Sequence, residues 1–433
     1  MNQHLKQKLW QTIDKHREKI TAIGETVLNN AELGYFEEKT SRLVRQTFDE
    51  LGMDYQYPLA LTGVKATLDS GKEGPNVCII GEMDALFCNG HPNATVTGVA
   101  HACGHHAQVA AMLGAAIGIK KSGVVEHLGG KITFMAVPAE EFIDLSSRKQ
   151  LKQEGKIAYF GGKQQLFYEG AFRDVDITMM IHAQTESPDA KFYSRATNLG
   201  FLAKTITFRG KVAHGSRPSE GVNALNAAAL AILGVHSNRD TFTEEEKIRI
   251  HPIITKGGDV VNSVPDEVIL ETYVRGATFD AIKKGNAAVE RAVYGASQMI
   301  GTSVEIEDVL GYLPLIESQE LNLVTEEVTK EVLGEDCLIF DVPAVGSSDI
   351  GDVSAVMPTI QPSMGGFSGV IHSKDFLVSD PEVAYIGAAK ILAGTCVDLL
   401  IDDAKKAKEI ICDFQPVFTQ DEYLAYISSG RIS

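Results

Sequence analysis

A thiol, several imidazoles and two pairs of acidic residues occur in this chain at places where a fold could gather them. His101-Ala102-Cys103-Gly104-His105-His106 sets a thiol and an imidazole two residues apart, opening an Ala-rich helical stretch. A helix N-terminus lowers a thiol's pKa toward the thiolate, the form that binds metal. Glu82-Met83-Asp84 follows the apolar run Asn76–Gly81, and Glu140-Glu141 follows Lys131–Val137. His182 follows Asp176–Ile181, and the glycine loop Gly365–Val370 leads to His372. Singly, each has an ordinary explanation: a small buried Cys, a structural His, a solvated acidic loop. Jointly, they fall where a parallel α/β sheet gathers ligands, outside the carboxyl ends of its strands. Together they offer five sulfur, nitrogen and oxygen donors plus a spare carboxylate, which is a metalloenzyme signal.

The elements that must position them form two units. From Met1 to about Gln184, helices alternate with short Val- and Ile-rich runs, the pattern of an α/β domain with a largely parallel sheet. The spacing predicts a helix around Ser41–Leu51 and a tightly packed one over Cys103–Lys121. Residues 192–308 then read as strand (Leu202–Phe208), helix (Asn223–Val235), two strands (Ile248–Lys256 and Val268–Arg275), helix (Phe279–Ile300) and strand (Ser303–Val309). That β-α-β-β-α-β order is ferredoxin-like, inserted into a catalytic domain of residues 1–191 and 309–433. The resumed part carries a helix over 319–334, Ser347-Ser348-Asp349 as an N-cap, and a long helix near Pro381–Asp403.

The chain has 433 residues with 44% hydrophobic and 22% charged content, a globular composition. A net charge of −17 disfavours nucleic acid and anionic membrane as partners. No run reaches the ~18 uninterrupted apolar residues of a membrane span, and the start lacks a signal-peptide core. Six cysteines without framework spacing read as reduced thiols, so a cytoplasmic protein is expected. Cys78 and Cys396 read as packed core residues. His101 reads as structural, and His106 as either a neighbour of a ligand or helix filler. His4, His16, His91, His127, His236 and His251 sit in polar contexts and read as solvated.

Four strings carry a specific resemblance: Gly81-Glu82-Met83-Asp84-Ala85-Leu86, His101-Ala102-Cys103-Gly104-His105, Pro138-Ala139-Glu140-Glu141 and Ala213-His214-Gly215-Ser216. They resemble the amidohydrolase branch of the di-metal aminoacylase/carboxypeptidase superfamily. That branch includes hippurate hydrolases, N-acetyl-diaminopimelate deacetylases, auxin-conjugate hydrolases and p-aminobenzoyl-glutamate hydrolases. The stretch Gly346–Ser354 is most similar to the B-subunit type of the last. The resemblance implies that Cys103, His105, Glu141, His182 and His372 hold two divalent ions (Zn, Mn, Ni or Co). It makes Glu140 the general base toward metal-bound water and Asp84 the carboxylate that orients a ligand imidazole. His214 would reach a partner subunit's site and stabilise the oxyanion, and Asn262 and Arg275 would contact the substrate's carboxylate end. Three features depart from the family pattern: His106 where Asp is usual, Glu82 where Asp is frequent, and a longer, more polar segment over Phe142–Gly161.

The resulting expectation is an amidohydrolase acting on an N-acyl or aminobenzoyl-type amino acid or small dipeptide, assembled as a homodimer through the insert. The alternatives are a dipeptidase or carboxypeptidase on free-amine dipeptides, and a catalytically silent binding or regulatory relative.

Overall fold

The structure, a computed structural model, describes residues 2–187, 191–340 and 346–432. Two compact units emerge.

The first comprises the chain up to Thr197, the part that resumes at Ile316, and Asp352–Gln420. Its main sheet runs Tyr55–Leu59, Gly63–Asp69, Lys131–Val137, Asn76–Glu82, Ile177–Met179, Thr359–Ile360. The last four strands are mutually parallel, and the first two form an antiparallel edge. Asn76–Glu82 is buried at every position, as a central parallel strand covered on both faces must be. It lies in register with Lys131–Val137, so that Glu82 pairs with Val137. The residues just beyond both strands therefore emerge side by side.

The helix predicted from Cys103 starts at His105 and runs to Ser122. Almost every position is buried, because it packs between the sheet and the Asn2–Lys15, Arg17–Leu28 and Ala388–Asp413 helices. The helix Glu382–Asp413 that contains the last of these is long and apolar enough to span a membrane, but 89% of its apolar window is buried inside the protein, so it serves as a core helix. It extends ten residues beyond the expected Asp403, across a non-helical break at Ile401–Ala404.

A second sheet in this unit corrects two sequence expectations. His182 does not end a main-sheet strand but opens the strand His182–Thr185, which pairs with Ser363–Ser368. Phe192–Ser194, assigned from sequence to the insert, pairs with Leu338–Phe340 and Ser363–Ser368 and so belongs here.

The second unit comprises Asn198–Leu315, the segment ending at Gly351, and the stretch from Asp421. Its strands are all antiparallel, in the order Arg249–Ile250 with Ile253–Lys256, then Glu267–Gly276, Gly200–Arg209 and Ser303–Leu310. The expected strand Ile248–Lys256 is split because Pro252 has no N–H for the ladder. Helices Ala224–Ser237 and Phe279–Ile300 cover one face, burying Ile206, Phe208, Val268, Leu270 and Val274. The C-terminal stretch, expected in the catalytic domain, groups here, with Tyr426 edge-on to Phe279 at 5.4 Å. Leu199 N likewise bonds Gly346 O at 2.9 Å.

Glu317 ties two parts of the first unit together, accepting from Gln361 N (2.8 Å) and Asn322 Nδ2 (2.9 Å). Burial pushes its pKa up to about 7 from an ordinary 4.5. A raised folded-state pKa means that its stabilising contribution is complete below about 4.5 and fades as pH rises through about 7. Stability should therefore fall between about pH 5 and 8, and Glu317→Gln should flatten that fall. Thermal unfolding of both proteins across this range checks it, and parallel curves would refute it.

Candidate metal centre

Three neighbouring parallel strands deliver the site. Asp84 leaves the end of Asn76–Glu82, Glu140 and Glu141 leave Lys131–Val137, and His182 follows Ile177–Met179. Cys103 and His105 flank Gly104, whose φ of 85° suits glycine and where a Cβ would lie 2.3 Å from that of Ala183. His372 is held from a turn by its N–H to Ala102 O at 2.8 Å.

The five expected metal ligands come together. Cys103 Sγ lies 3.5 Å from His182 Nε2 and 3.3 Å from His372 Nε2, and His372 Nε2 lies 3.3 Å from Glu141 Oε1. Ligand atoms of Cys103, His105 and His182 fall within 4.8 Å of one another, as do those of Cys103, Glu141 and His372. Cys103 is common to both groups.

Hydrogen bonds fix the imidazoles. His105 Nδ1 sits 2.9 Å from the main-chain oxygen of Asp84 and 3.2 Å from its Oδ1. A carbonyl can only accept, so Nδ1 carries the proton and, in the neutral ring, Nε2 presents a lone pair. His182 Nδ1 meets Ala183 O at 2.8 Å with the same consequence. Asp84 Oδ2 also accepts from Glu141 N at 2.9 Å, so one carboxylate orients an imidazole and the acidic loop.

The donor set fits a metal. His105 Nε2 and Glu141 Oε1 are buried without a hydrogen-bond partner, a costly state for polar atoms. Both belong to a thiol-containing cluster of donor atoms that a divalent cation would satisfy. The expected lowering of the Cys103 pKa is overturned. Burial and the Glu141 carboxylate push the thiol well up despite the adjacent helix start, so a bound cation must displace its proton. Burial disfavours a charge on His105, but Cys103, Glu82 and Asp84 outweigh it and raise its pKa.

The sequence reading singled out Glu82 without giving it a role in the site, and it missed Lys163, Gln108, Arg148 and Glu37. Glu82 Oε2 lies 3.2 Å from His105 Nε2, and Glu82, His105 and Glu140 form a third group able to hold a cation. Lys163, fully buried, bonds Glu82 Oε1 at 2.6 Å, and Gln108 Nε2 donates to Oε2 at 2.8 Å. Burial opposes the Glu82 charge, but Lys163 and His105 hold its pKa below the usual value. Buried Arg148 donates to Glu141 O and, at 2.7 Å, to Phe160 O. Glu37 accepts from Ala139 N at 2.9 Å, bracing a residue at φ 57° just before the glutamate pair. Lys163 and Arg148 lie in or beside the polar segment that looked merely like an insertion; a buried Lys announces itself only through its partner.

His106 packs against Phe367 and Tyr385 with neither ring nitrogen hydrogen-bonded, and burial holds its pKa far down. It joins none of the three groups. His91, expected to be solvated, is buried with Nε2 3.0 Å from Phe376 O.

The remaining expected residues belong to the second unit. His214 and Asn262 are neighbours on a short ribbon, with His214 paired to Ser263 and Gly215 N bonded to Asn262 O at 2.6 Å. His214 Nδ1 accepts from Ser216 N at 3.2 Å, which leaves the proton on Nε2 in the neutral ring. Arg275 donates to Ser347 Oγ at 2.7 Å.

The sequence model of Peptidase family M20/M25/M40 matches residues 78–396. An IAA-amino acid hydrolase of Arabidopsis thaliana is 27% identical over 89% of this chain and 86% of its own length. A human Xaa-Arg dipeptidase is 27% identical over 92% of this chain and 89% of its own. Among solved structures, a Bacillus subtilis dinuclear metal-binding peptidase of family M20 superposes with a TM-score of 0.72 at 21% identity, covering 89% of this chain and 99% of that one. An aminobenzoyl-glutamate utilization protein of Klebsiella pneumoniae gives 0.64 at 19% identity, covering 90% and 97%.

The Lys163–Glu82 pair invites a direct test. Lys163→Met leaves a buried carboxylate without its ammonium and should cost about 3–5 kcal/mol. Adding Glu82→Gln should restore much of that loss. Equal denaturation midpoints for wild type and the single variant would contradict this.

Proposed function

The chain belongs to Peptidase family M20/M25/M40 and is a metal-dependent hydrolase of carbon–nitrogen bonds; within it we propose cleavage of the amide of an N-acyl amino acid or small dipeptide-like compound, with Glu140 as general base. One observation carries the assignment of roles: the adjacent carboxylates have different neighbours. Glu141 faces His372 at 3.3 Å, whereas Glu140 lies 3.9 Å from His105 Nε2.

Cys103, His105, Glu141, His182 and His372 would hold two divalent ions, and their mixed donors suit Zn, Mn, Ni or Co. Such ions lower the pKa of a water toward ~7 and polarise the substrate carbonyl. Glu140 removes the water's proton and delivers it to the departing amine nitrogen. Asp84 keeps the proton of His105 on Nδ1, so Nε2 stays available as a donor atom. His214, with its proton on Nε2, offers a hydrogen bond to the developing oxyanion, a contribution of ~3–4 kcal/mol in other hydrolases.

Elemental analysis with assays on N-acyl amino acids and dipeptides tests this reading. Wild type should carry about two ions. Glu140→Gln should keep them while kcat falls by ~10²–10⁴, and Glu141→Gln should lose metal. The reverse pattern would swap the two roles.

We further propose that the chain is a homodimer formed through the inserted unit, with His214 serving the partner's site. Most of the apolar face of Ala224–Ser237 is consumed internally, by Ala224, Ala227, Ala228, Ala231 and Val235. Leu233 stays 62% exposed, and the strand Ser303–Leu310 lies at an edge of its sheet. Mixing inactive His214→Ala and Glu140→Gln chains should regenerate activity, since a heterodimer would contain one intact site. Heterodimers without activity would end the shared-site proposal.

A further inference from the structure

The polar segment Phe142–Gly161 begins at the residue after Glu141, and one side chain ties its two ends together. Arg148, on the helix Leu145–Gln153, is 1% exposed. Its Nη2 donates to Glu141 O, just before the segment, and its Nη1 to Phe160 O, near the segment's end, at 2.7 Å. The Tyr35 ring centre lies 5.6 Å from the guanidinium, and its hydroxyl is shared between Tyr159 O at 2.8 Å and Gly161 O at 3.2 Å. Three successive carbonyls are thus gathered by one arginine and one tyrosine. Gly34 makes the room, because a Cβ there would lie 2.5 Å from Arg148 Nη2 and 2.7 Å from Ala139 Cα.

The main chain on both sides of Glu140 is held. Ala139 N donates to Glu37 and Ala139 O accepts from Gly162 N at 3.0 Å. Glu141 N donates to Asp84, and Glu141 O accepts from Ile143 N at 2.8 Å. That last bond is a local turn; Arg148 is what joins the same carbonyl to the far end of the segment. A buried arginine is a costly way to order a loop. Its Nε has no hydrogen-bond partner, and no carboxylate of the described residues lies within ion-pair distance of it. Its charge instead reaches the buried acids, Asp84 among them.

We propose that Arg148 is a positioning residue for the glutamate pair, holding the main chain so that Glu141 faces the metal donors and Glu140 faces the reacting water. The proposal rests on the roles given above to Glu140 and Glu141. Adjacent residues with different duties need a fixed main chain, because any rotation of the intervening peptide moves both carboxylates together. A planar guanidinium reaches two carbonyls at once in a rigid geometry, whereas a lysine ammonium is a point charge on a flexible stem. Groups that orient metal ligands in this way contribute about 10–100-fold to metal affinity or activity. The lengthened segment therefore belongs to the site, and Arg148 is its point of attachment.

Calorimetric titration of the full chain, stripped of metal, with Zn²⁺ tests this without turnover. Arg148→Ala should weaken Zn²⁺ binding by about tenfold or more. Guanidinium chloride at millimolar concentration should restore the affinity, and methylammonium chloride should not. At saturating Zn²⁺, kcat of Arg148→Ala should fall by about tenfold or more with KM within about threefold, because the base and not a substrate contact is displaced. Arg148→Lys should show a smaller Zn²⁺ loss, which keeps the test available if the alanine variant does not fold. Tyr35→Phe releases the Tyr159 and Gly161 carbonyls without touching Glu141; it should speed tryptic cleavage between Lys149 and Lys156 and keep Zn²⁺ affinity. Zn²⁺ loss with guanidinium rescue but no turnover of any amide would sink the hydrolase reading and leave the positioning role standing. Unchanged Zn²⁺ affinity in Arg148→Lys, a loss that guanidinium does not restore, or an equal loss in Tyr35→Phe overturns the proposal.

Discussion

Five carboxylic acids, Glu37, Glu82, Asp84, Glu140 and Glu141, converge almost fully buried at the carboxyl ends of two adjacent strands. Two like charges 4 Å apart repel by about 4 kcal/mol at an effective dielectric near 20. Such a cluster stands only if protons, cations or hydrogen-bond donors answer it. The structure uses all three. Burial, with Asp84 nearby, pushes the Glu37 pKa up to about 8, so that acid is largely protonated at neutral pH. Lys163 matches Glu82, and main-chain N–H groups from Ala139 and Glu141 bind Glu37 and Asp84. What stays open is the donor cluster around Cys103, in which His105 Nε2 and Glu141 Oε1 lack a hydrogen-bond partner. Metal binding thus completes an electrostatic arrangement that the fold leaves open on one side.

Much of this was legible because the ligands are short-range features of strand ends. Apolar runs located the central strands, and the residues following them were the ones that met. The ferredoxin-like order was readable for the same reason: each element has its own clean periodicity. Less legible were pairings that depend on distant segments. Nothing in Phe192–Ser194 announces that it joins Ser363–Ser368 rather than the insert, since a short apolar run fits either sheet. The Cys103 pKa went the wrong way because a helix start is visible in sequence whereas burial and a neighbouring Glu141 are not. His91 was misread for a similar reason, its polar neighbours hiding a buried carbonyl partner in Phe376.

The departures from the family pattern become coherent once two of them are considered together. Position 82 carries Glu, and the segment Phe142–Gly161 is longer and more polar. Lys163, just past that stretch, is the residue that binds Glu82. Glutamate's extra methylene lets one oxygen take Lys163 Nζ at 2.6 Å while the other takes Gln108 Nε2 at 2.8 Å and stays 3.2 Å from His105 Nε2. An aspartate at this position would fall short of these groups and strand a buried ammonium, so the acid and the lysine form one unit. His106, by contrast, turns its ring to Phe367 and Tyr385, apart from the lone-pair cluster. Its replacement of the usual Asp therefore leaves the three donor groups of the site intact, and the chain's individuality lies in how its central carboxylates are neutralised.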